Sequence, residues 1–238
     1  MSNATIAQDL IAKLGPSQPP VALAFVSAPP PGVAAFGEVV PSACAFWRKA
    51  ESEVFFASAE SHFNCPIGSM VMGFDLPQAV SDELMGLVGK MTACGYVGGD
   101  EPAKIPVNKK KAAGVLYGPL AKFPVAPDAV LLWLTPAQAM IWSEAAGGAS
   151  WSGSAPTTVF GRPGCAAIPS AIGGPTPSLS FGCAGMRTFT EIGDDRMLAV
   201  VPGSGLDTFA QSLVKTRGIN DAMESFYRDR KAAVCSPT

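Results

Sequence analysis

The fold class is decided by the stretch Ala129-Val130-Leu131-Leu132-Trp133-Leu134-Thr135-Pro136. Its first six residues are all apolar, which predicts a strand that is buried on both faces of a sheet. Thr135 can cap a helix and Pro136 suits a first helical turn, so a helix is expected to follow directly and to end near Ala146. The chain is therefore expected to mix strands and helices.

Short apolar runs and helical repeats continue outward from this stretch in both directions. Further strands are predicted at 20–26, 54–57, 114–117, 157–160 and 197–201. Helices are predicted at 5–14 and 75–94, with two closing helices at 206–216 and 219–232. The 25 glycines and 22 prolines predict many turns and a long loop-rich segment at 161–177. Together these patterns favour a single α+β domain over residues 1–238.

Composition excludes several classes of protein. The 17 lysines and arginines nearly balance 19 aspartates and glutamates, which argues against a nucleic-acid partner because phosphate contacts need a basic excess. The longest apolar run, 129–134, is far shorter than the roughly 20 residues that span a bilayer, so no membrane span is expected. The N-terminus lacks the features of a secretory signal, and we therefore expect a cytoplasmic protein.

The chain has a single histidine, His62, which limits its chemistry. Sites built from two or three imidazoles are excluded. No Gly-x-Ser-x-Gly motif accompanies His62, so a serine hydrolase of that type is not expected. Six cysteines remain as the main candidates for chemistry, because structural disulfides are not expected in a reducing compartment.

A pattern that occurs twice in the sequence suggests two similar α/β halves, at about 16–110 and 111–204. In the first half an apolar strand is followed by Cys44 and then, 21 residues later, by Cys65. In the second half the strand 129–134 is followed by Cys165 and then, 18 residues later, by Cys183. A duplicated half-domain would bring two paired-cysteine loops to a common axis, where four thiolates could meet. A chance match of common residue types is the alternative.

These four cysteines lie beside turn-forming residues, where a loop can direct sulfur toward a metal ion or an iron–sulfur cluster. The predicted ligand set is Cys44, Cys65, Cys165 and Cys183. No Cys-x-x-Cys motif is present, so neither a ferredoxin loop nor a zinc ribbon is indicated by local spacing. Small buried thiols and a single reactive thiol stay open as alternatives. Cys94 and Cys235 are not in the predicted set.

Two further residues stand near the cysteines and have chemistry that a substrate could use. His62 precedes Cys65 by three residues and could donate a proton. Arg187 follows Cys183 by four residues and could bind an anionic group. The alternatives are a hydrogen-bonded structural histidine and an ion pair between Arg187 and Glu191.

Several blocks together resemble the DUF169 family of prokaryotic proteins, and the likeness extends from about Leu10 to Thr216. The blocks are Ser42-Ala43-Cys44, His62-Phe63-Asn64-Cys65-Pro66-Ile67-Gly68 with Gly73, Tyr117-Gly118-Pro119-Leu120, Pro127-Asp128-Ala129-Val130, Pro136-Ala137-Gln138 and Ser180-Phe181-Gly182-Cys183-Ala184-Gly185-Met186-Arg187. The resemblance implies that Cys44, Cys65, Cys183 and Arg187 are family features. Ala184 stands where a proline is often found, which affects only the local shape of the loop.

The leading functional hypothesis is a cytoplasmic iron–sulfur protein that carries out a redox or lyase-type reaction on a small molecule, served by a redox partner. A non-enzymatic binder or sensor of a small ligand is the first alternative, and a zinc-stabilised structural protein is the second. Apolar residues make up 48% of the chain, so an apolar face that a homodimer would cover is also expected.

Overall fold

A computed structural model describes residues 1–98, 100–148, 150–151, 162–174 and 176–235. The strand predicted at 157–160 lies outside these residues. The helices are α1 (Asn3–Leu14), α2 (Ala45–Lys49), α3 (Pro66–Val71), α4 (Gln78–Ala93), α5 (Pro136–Ala145), α6 (Ala167–Gly173), α7 (Ala184–Thr190) and α8 (Leu206–Cys235). The strands are β1 (Val21–Val26), β2 (Phe55–Ser58), β3 (Gly114–Pro119), β4 (Ala129–Leu134), β5 (Ser150–Trp151), β6 (Ser178–Ser180) and β7 (Met197–Pro202).

The described strands form one sheet in the order β2-β3-β1-β4-β7-β6-β5. All neighbours are antiparallel except β5 and β6, which are parallel. β1 and β4 lie side by side at the centre, where Ala22 pairs with Val130. An antiparallel sheet combined with helices confirms the predicted α+β class.

Helices cover both faces of the sheet, which explains why its central strands are apolar at every position. Residues 129, 131 and 133 of β4 belong to one buried cluster, and residues 130, 132 and 134 belong to the other. The second cluster packs under α1, α5 and α8. The first cluster packs under α2 and α6 and includes Cys44 and Cys165. Cys183 packs against the same cluster, so three of the predicted cysteines belong to one face of the sheet.

The helix that follows β4 forms as its sequence predicts. The Thr135 hydroxyl accepts a hydrogen bond from the Gln138 amide, and the Gln138 side chain accepts one from the Thr135 amide. This reciprocal capping satisfies two amide groups that would otherwise lack partners at the helix start. The same side chain also donates to the Gly15 carbonyl at 2.7 Å, which ties the end of α1 to the start of α5.

The sheet order has an approximate two-fold pattern. Running outward from the centre, β1, β3 and β2 on one side correspond to β4, β7 and β6 on the other. The residue after β3, Leu120, donates its amide to the carbonyl of Pro20, the residue before β1, at 2.8 Å. Gly203 and Asp128 make the same contact between β7 and β4, also at 2.8 Å. Two copies of one unit near 16–110 and 111–204 would give this arrangement, and the duplication itself stays a prediction.

Two local predictions differ from the structure. The two closing helices are one helix, α8, which continues through Gly218 because Arg217 pairs with Asp221 and Glu224 across that position. The segment predicted as a loop at 161–177 contains α6, whose Pro169 lies in the first turn, where the missing amide costs no helical hydrogen bond. Within the described residues, no helix has the length and apolar character needed to cross a membrane.

Candidate cofactor-binding site

A cavity of about 500 Å³ lies on the face of the sheet that carries α2 and α6. Its lining includes Cys44, Cys65, Cys165 and Cys183. The structure therefore brings together all four of the predicted cysteines, two from each half of the chain. Cys94 and Cys235, which are not in the predicted set, are exposed and are not among the residues that line the cavity.

Each of the four cysteines stands just before a helix on the same face of the sheet. Cys44, Cys65 and Cys183 are the residues that precede α2, α3 and α7. Cys165 lies in the short 3-10 turn Gly164–Ala166 that leads into α6. The loops that carry these cysteines therefore meet at one cavity.

Burial and mutual repulsion keep two of these thiols protonated. Burial raises the pKa of Cys44 to about 12, although a contact of 2.7 Å with the Ser42 hydroxyl opposes the shift. Burial also raises the pKa of Cys165 well above its usual value. Negative charge on Cys65 and on Cys183 raises the pKa of both buried thiols further, which means that the sulfurs interact electrostatically.

Local contacts fix the loop that carries Cys183. The Cys183 sulfur accepts a hydrogen bond from the amide of Met186 at 3.4 Å. Gly182 has a φ of +83°, and a β-carbon there would lie 2.0 Å from the terminal methyl of Met186. Only glycine fits this turn, so the close approach of Met186 depends on it.

The wall opposite the sheet is apolar and comes from α4. Leu84, Leu87, Val88 and Met91 recur at helical spacing and line the cavity. Of the residues of α4, only Leu84 is buried, because the helix faces the cavity rather than a packed core. The amide of Ala184 donates to the Tyr96 hydroxyl at 3.2 Å, which joins the segment after α4 to the Cys183 loop.

One end of the cavity carries a charged pair, Arg162 and Glu101, that the sequence reasoning did not single out. Their nearest nitrogen and oxygen atoms are 3.6 Å apart, and the two side chains are only 14% and 4% exposed. The available signal was spacing, because Arg162 precedes Cys165 by three residues just as His62 precedes Cys65. The same spacing therefore indicates Arg162 in the second half of the chain as it indicates His62 in the first half.

His62 does not line the cavity. Its Nδ1 lies 2.7 Å from the Ser58 carbonyl and its Nε2 lies 3.1 Å from the Tyr117 hydroxyl, so both ring nitrogens have partners. The ring is 1% exposed and packs against Phe46 and Phe74. Burial lowers the pKa of His62 from its ordinary 6.5 to about 4, so the ring is neutral at pH 7. The structure places the expected proton donor behind the cysteines, in the core.

Arg187 also points away from the cavity. Its guanidinium donates to the carbonyls of Phe181, Arg196 and Gly193 at 2.7, 3.0 and 3.4 Å. Its nearest carboxylate is that of Asp194, at 3.9 Å, rather than that of Glu191. The structure therefore gives Arg187 a role in holding three backbone carbonyls, and the cation that faces the cavity is Arg162.

The four sulfurs share a cavity without forming a preassembled site for one ion. Among the residues that the structure describes, no group of three or more histidine, cysteine, aspartate or glutamate side chains is arranged to hold a metal ion. One tetrahedral zinc ion would hold each of its sulfurs at about 2.3 Å and so draw all four close together.

The fold and the site define an α+β protein with a four-cysteine cavity on one face of its sheet. The model of the DUF169 family, described as uncharacterised ArCR, matches residues 9–212 of the chain. The chain belongs to this family, as its sequence blocks suggest. The matched range contains the four cysteines, His62, Arg162 and Arg187. No curated protein and no solved structure matches the chain.

Proposed function

We propose that this protein binds an iron–sulfur cluster through Cys44, Cys65, Cys165 and Cys183 and acts on a small molecule held in the same cavity. The observation that carries the proposal is the convergence of these cysteines. They are distant in sequence and come from both halves of the chain, yet all four line one cavity. The two exposed cysteines, Cys94 and Cys235, are not among the residues that line the cavity. Cysteines of this chain therefore do not all lie at the cavity.

The electrostatics of the thiols set a condition on any cationic occupant, which must displace the protons of the buried thiols. The pKa of Cys44, about 12, reflects burial and the negative charge of neighbouring thiolates. Iron supplies positive charge to thiolates that would otherwise repel one another, so binding would drive proton release from the buried thiols. The four cysteines would hold the group, and a cluster would supply either electron transfer or a Lewis acid.

A structural zinc ion is the alternative occupant of the four cysteines, and it would need a different arrangement of the sulfurs. Zinc needs four sulfurs around one centre, whereas a cluster carries its cysteines on separate irons and accepts sulfurs that are further apart.

The remaining volume of the cavity supports a small-molecule substrate. Its lining also includes the apolar α4 residues and the Arg162–Glu101 pair. The same features would serve a non-enzymatic binder or sensor, which is the second candidate function.

A redox partner, a homodimer and a cytoplasmic location also remain predictions. Sedimentation velocity of the purified chain would test the homodimer.

Anaerobic purification followed by iron, sulfide and zinc analysis tests the proposal directly. We expect iron and sulfide with an absorption band at about 400 nm. Serine substitutions of Cys44, Cys65, Cys165 and Cys183 should each lower the iron content, whereas Cys94→Ser and Cys235→Ser serve as matched controls and should leave it unchanged. Full iron content in two or more of the four variants, or zinc in place of iron, would overturn the proposal.

A further inference from the structure

We propose that the Arg162–Glu101 end of the cavity binds the charged groups of a small zwitterion, an α-amino acid with an apolar side chain. The proposal deepens the proposed function, because it names the class of molecule that would lie beside the cysteines. It depends on that function only through the shared cavity, so the two can be tested separately.

The charged pair is buried but incompletely satisfied. The separation of 3.6 Å between Arg162 Nη2 and Glu101 Oε1 is longer than a hydrogen bond. One Glu101 oxygen accepts the amide of Gly98 at 3.0 Å, and the guanidinium stacks over the Tyr96 ring at 4.3 Å. The buried Nε of Arg162 has no hydrogen-bond partner in the part of the chain that the structure describes.

Buried charges are stable only when their hydrogen-bonding groups find partners. A guanidinium presents a planar set of donors that matches the two oxygens of a carboxylate. A carboxylate such as Glu101 accepts hydrogen bonds from an ammonium group in the same way. Because the two residues already face one another loosely, a ligand that carries both groups can complete the hydrogen bonding of each.

Charge balance selects a zwitterion over a simple acid or amine. A carboxylic acid would pair with Arg162 and leave Glu101 as a buried negative charge with only one amide donor. An amine would pair with Glu101 and leave Arg162 without a counter-ion. An amino acid offers both charges on neighbouring atoms and adds no net charge to the buried end of the cavity.

The apolar wall defines the rest of the ligand. Leu87, Val88 and Met91 of α4 line the same cavity as the charged pair and the cysteines. A side chain bound along this wall buries apolar surface, whereas a polar side chain would lose its hydration without gaining a partner. The cavity of about 500 Å³ accommodates a molecule of this size.

Three ligands that differ by one charged group test the proposal on the wild-type protein. Calorimetric titration with L-leucine, 4-methylpentanoate and 3-methylbutylamine should give the tightest binding for leucine, by about tenfold or more over either analogue. The titrations are made on iron-loaded protein and on protein with its iron removed. Equal affinity for leucine and either analogue, or no binding of leucine at millimolar concentration in both forms, would overturn the proposal.

Two variants assign the charges, and a second ion pair supplies the control. Glu101→Gln should remove the preference for leucine over 4-methylpentanoate, and Arg162→Gln should weaken both ligands by about tenfold or more. Arg48 and Glu51 form a partly buried pair outside the cavity lining, so Arg48→Gln and Glu51→Gln should leave leucine binding unchanged. Wild-type discrimination decides the matter if a cavity variant does not fold. Iron content measured on the same samples separates failure of this proposal from failure of the cluster.

Discussion

Gly68 and Cys65 touch across the first turn of α3. A β-carbon on Gly68 would lie 2.9 Å from the Cys65 sulfur and 2.7 Å from the β-carbon of Ala43. Real β-carbons essentially never approach other atoms this closely, so a side chain at this position must displace its neighbours. The position of the Cys65 sulfur at the cavity therefore depends on the absence of a side chain at residue 68.

We expect Gly68→Ala to lower both stability and iron content. Overpacking of this kind costs about 1–3 kcal/mol, and movement of the Cys65 sulfur should weaken cluster binding. Thermal unfolding and iron analysis of the purified variant measure the two effects. Gly86→Ala is the matched control, because Gly86 lies within α4 with no atom within 4 Å of an added β-carbon. It should raise stability by about 0.5–1 kcal/mol, and wild-type behaviour of both variants would contradict the argument.

The buried imidazole predicts a loss of stability in mild acid. The pKa of His62 falls from 6.5 to about 4 on burial, so the unfolded chain binds a proton that the folded chain excludes between these two values. The free energy of unfolding should therefore fall as the pH drops from about 6.5 toward 4, by about 3 kcal/mol in total. Below that range the folded imidazole also becomes protonated and the loss should level off.

A comparison of wild type with His62→Gln isolates this contribution. His62 is the single histidine of the chain, and the carboxylates are common to both proteins. Urea unfolding at pH 7 and at pH 5 should show a larger loss for wild type than for the variant. The same loss in both proteins would mean that the imidazole does not stay neutral in the fold.

Arg187 should contribute to stability and not to ligand binding. Its guanidinium spans three carbonyls that a lysine ammonium cannot reach together. We expect Arg187→Lys to lower the free energy of unfolding by about 1–3 kcal/mol while the affinity for leucine stays at its wild-type value. A variant that keeps its stability but loses ligand affinity would instead mean that Arg187 acts in the cavity.

Much of the fold could be predicted from the sequence, because strong local signals agree with tertiary packing. Thr135 and Pro136 mark the start of α5, and the apolar run before them is β4 as expected. Helix α6 is not predicted from the sequence, because the glycines and prolines of this segment indicate a loop. Pro169 nevertheless fits the first turn of that helix. The break at Gly218 was wrong, because ion pairs across that residue offset the low helix propensity of glycine.

Some features of the candidate site could be predicted from the sequence and others could not, for a physical reason. The shared cavity of the four cysteines could be expected from the repeated sequence pattern, whereas the duplication and the ligand role stay predictions. The directions of His62 and Arg187 could not, since sequence spacing places a backbone near a loop and leaves open which way the side chain points. Arg162 lines the cavity and contacts Glu101 and Tyr96, which lie about sixty residues earlier in the chain. No local sequence pattern indicates these contacts.

The last prediction concerns the reactivity of Cys44. In protein with its iron removed, the pKa of about 12 means that the thiolate fraction, and with it the rate of alkylation by iodoacetamide, should rise about tenfold per pH unit from pH 8 to 10 without a plateau. The Ser42 hydroxyl, 2.7 Å from the sulfur, lowers the pKa of Cys44, so Ser42→Ala should raise that pKa and slow alkylation by about threefold or more. Mass spectrometry of the Cys44 peptide measures the rate, with exposed Cys94 in the same protein as the reference. A plateau below pH 10, or faster alkylation in the variant, would contradict the account of the buried thiol.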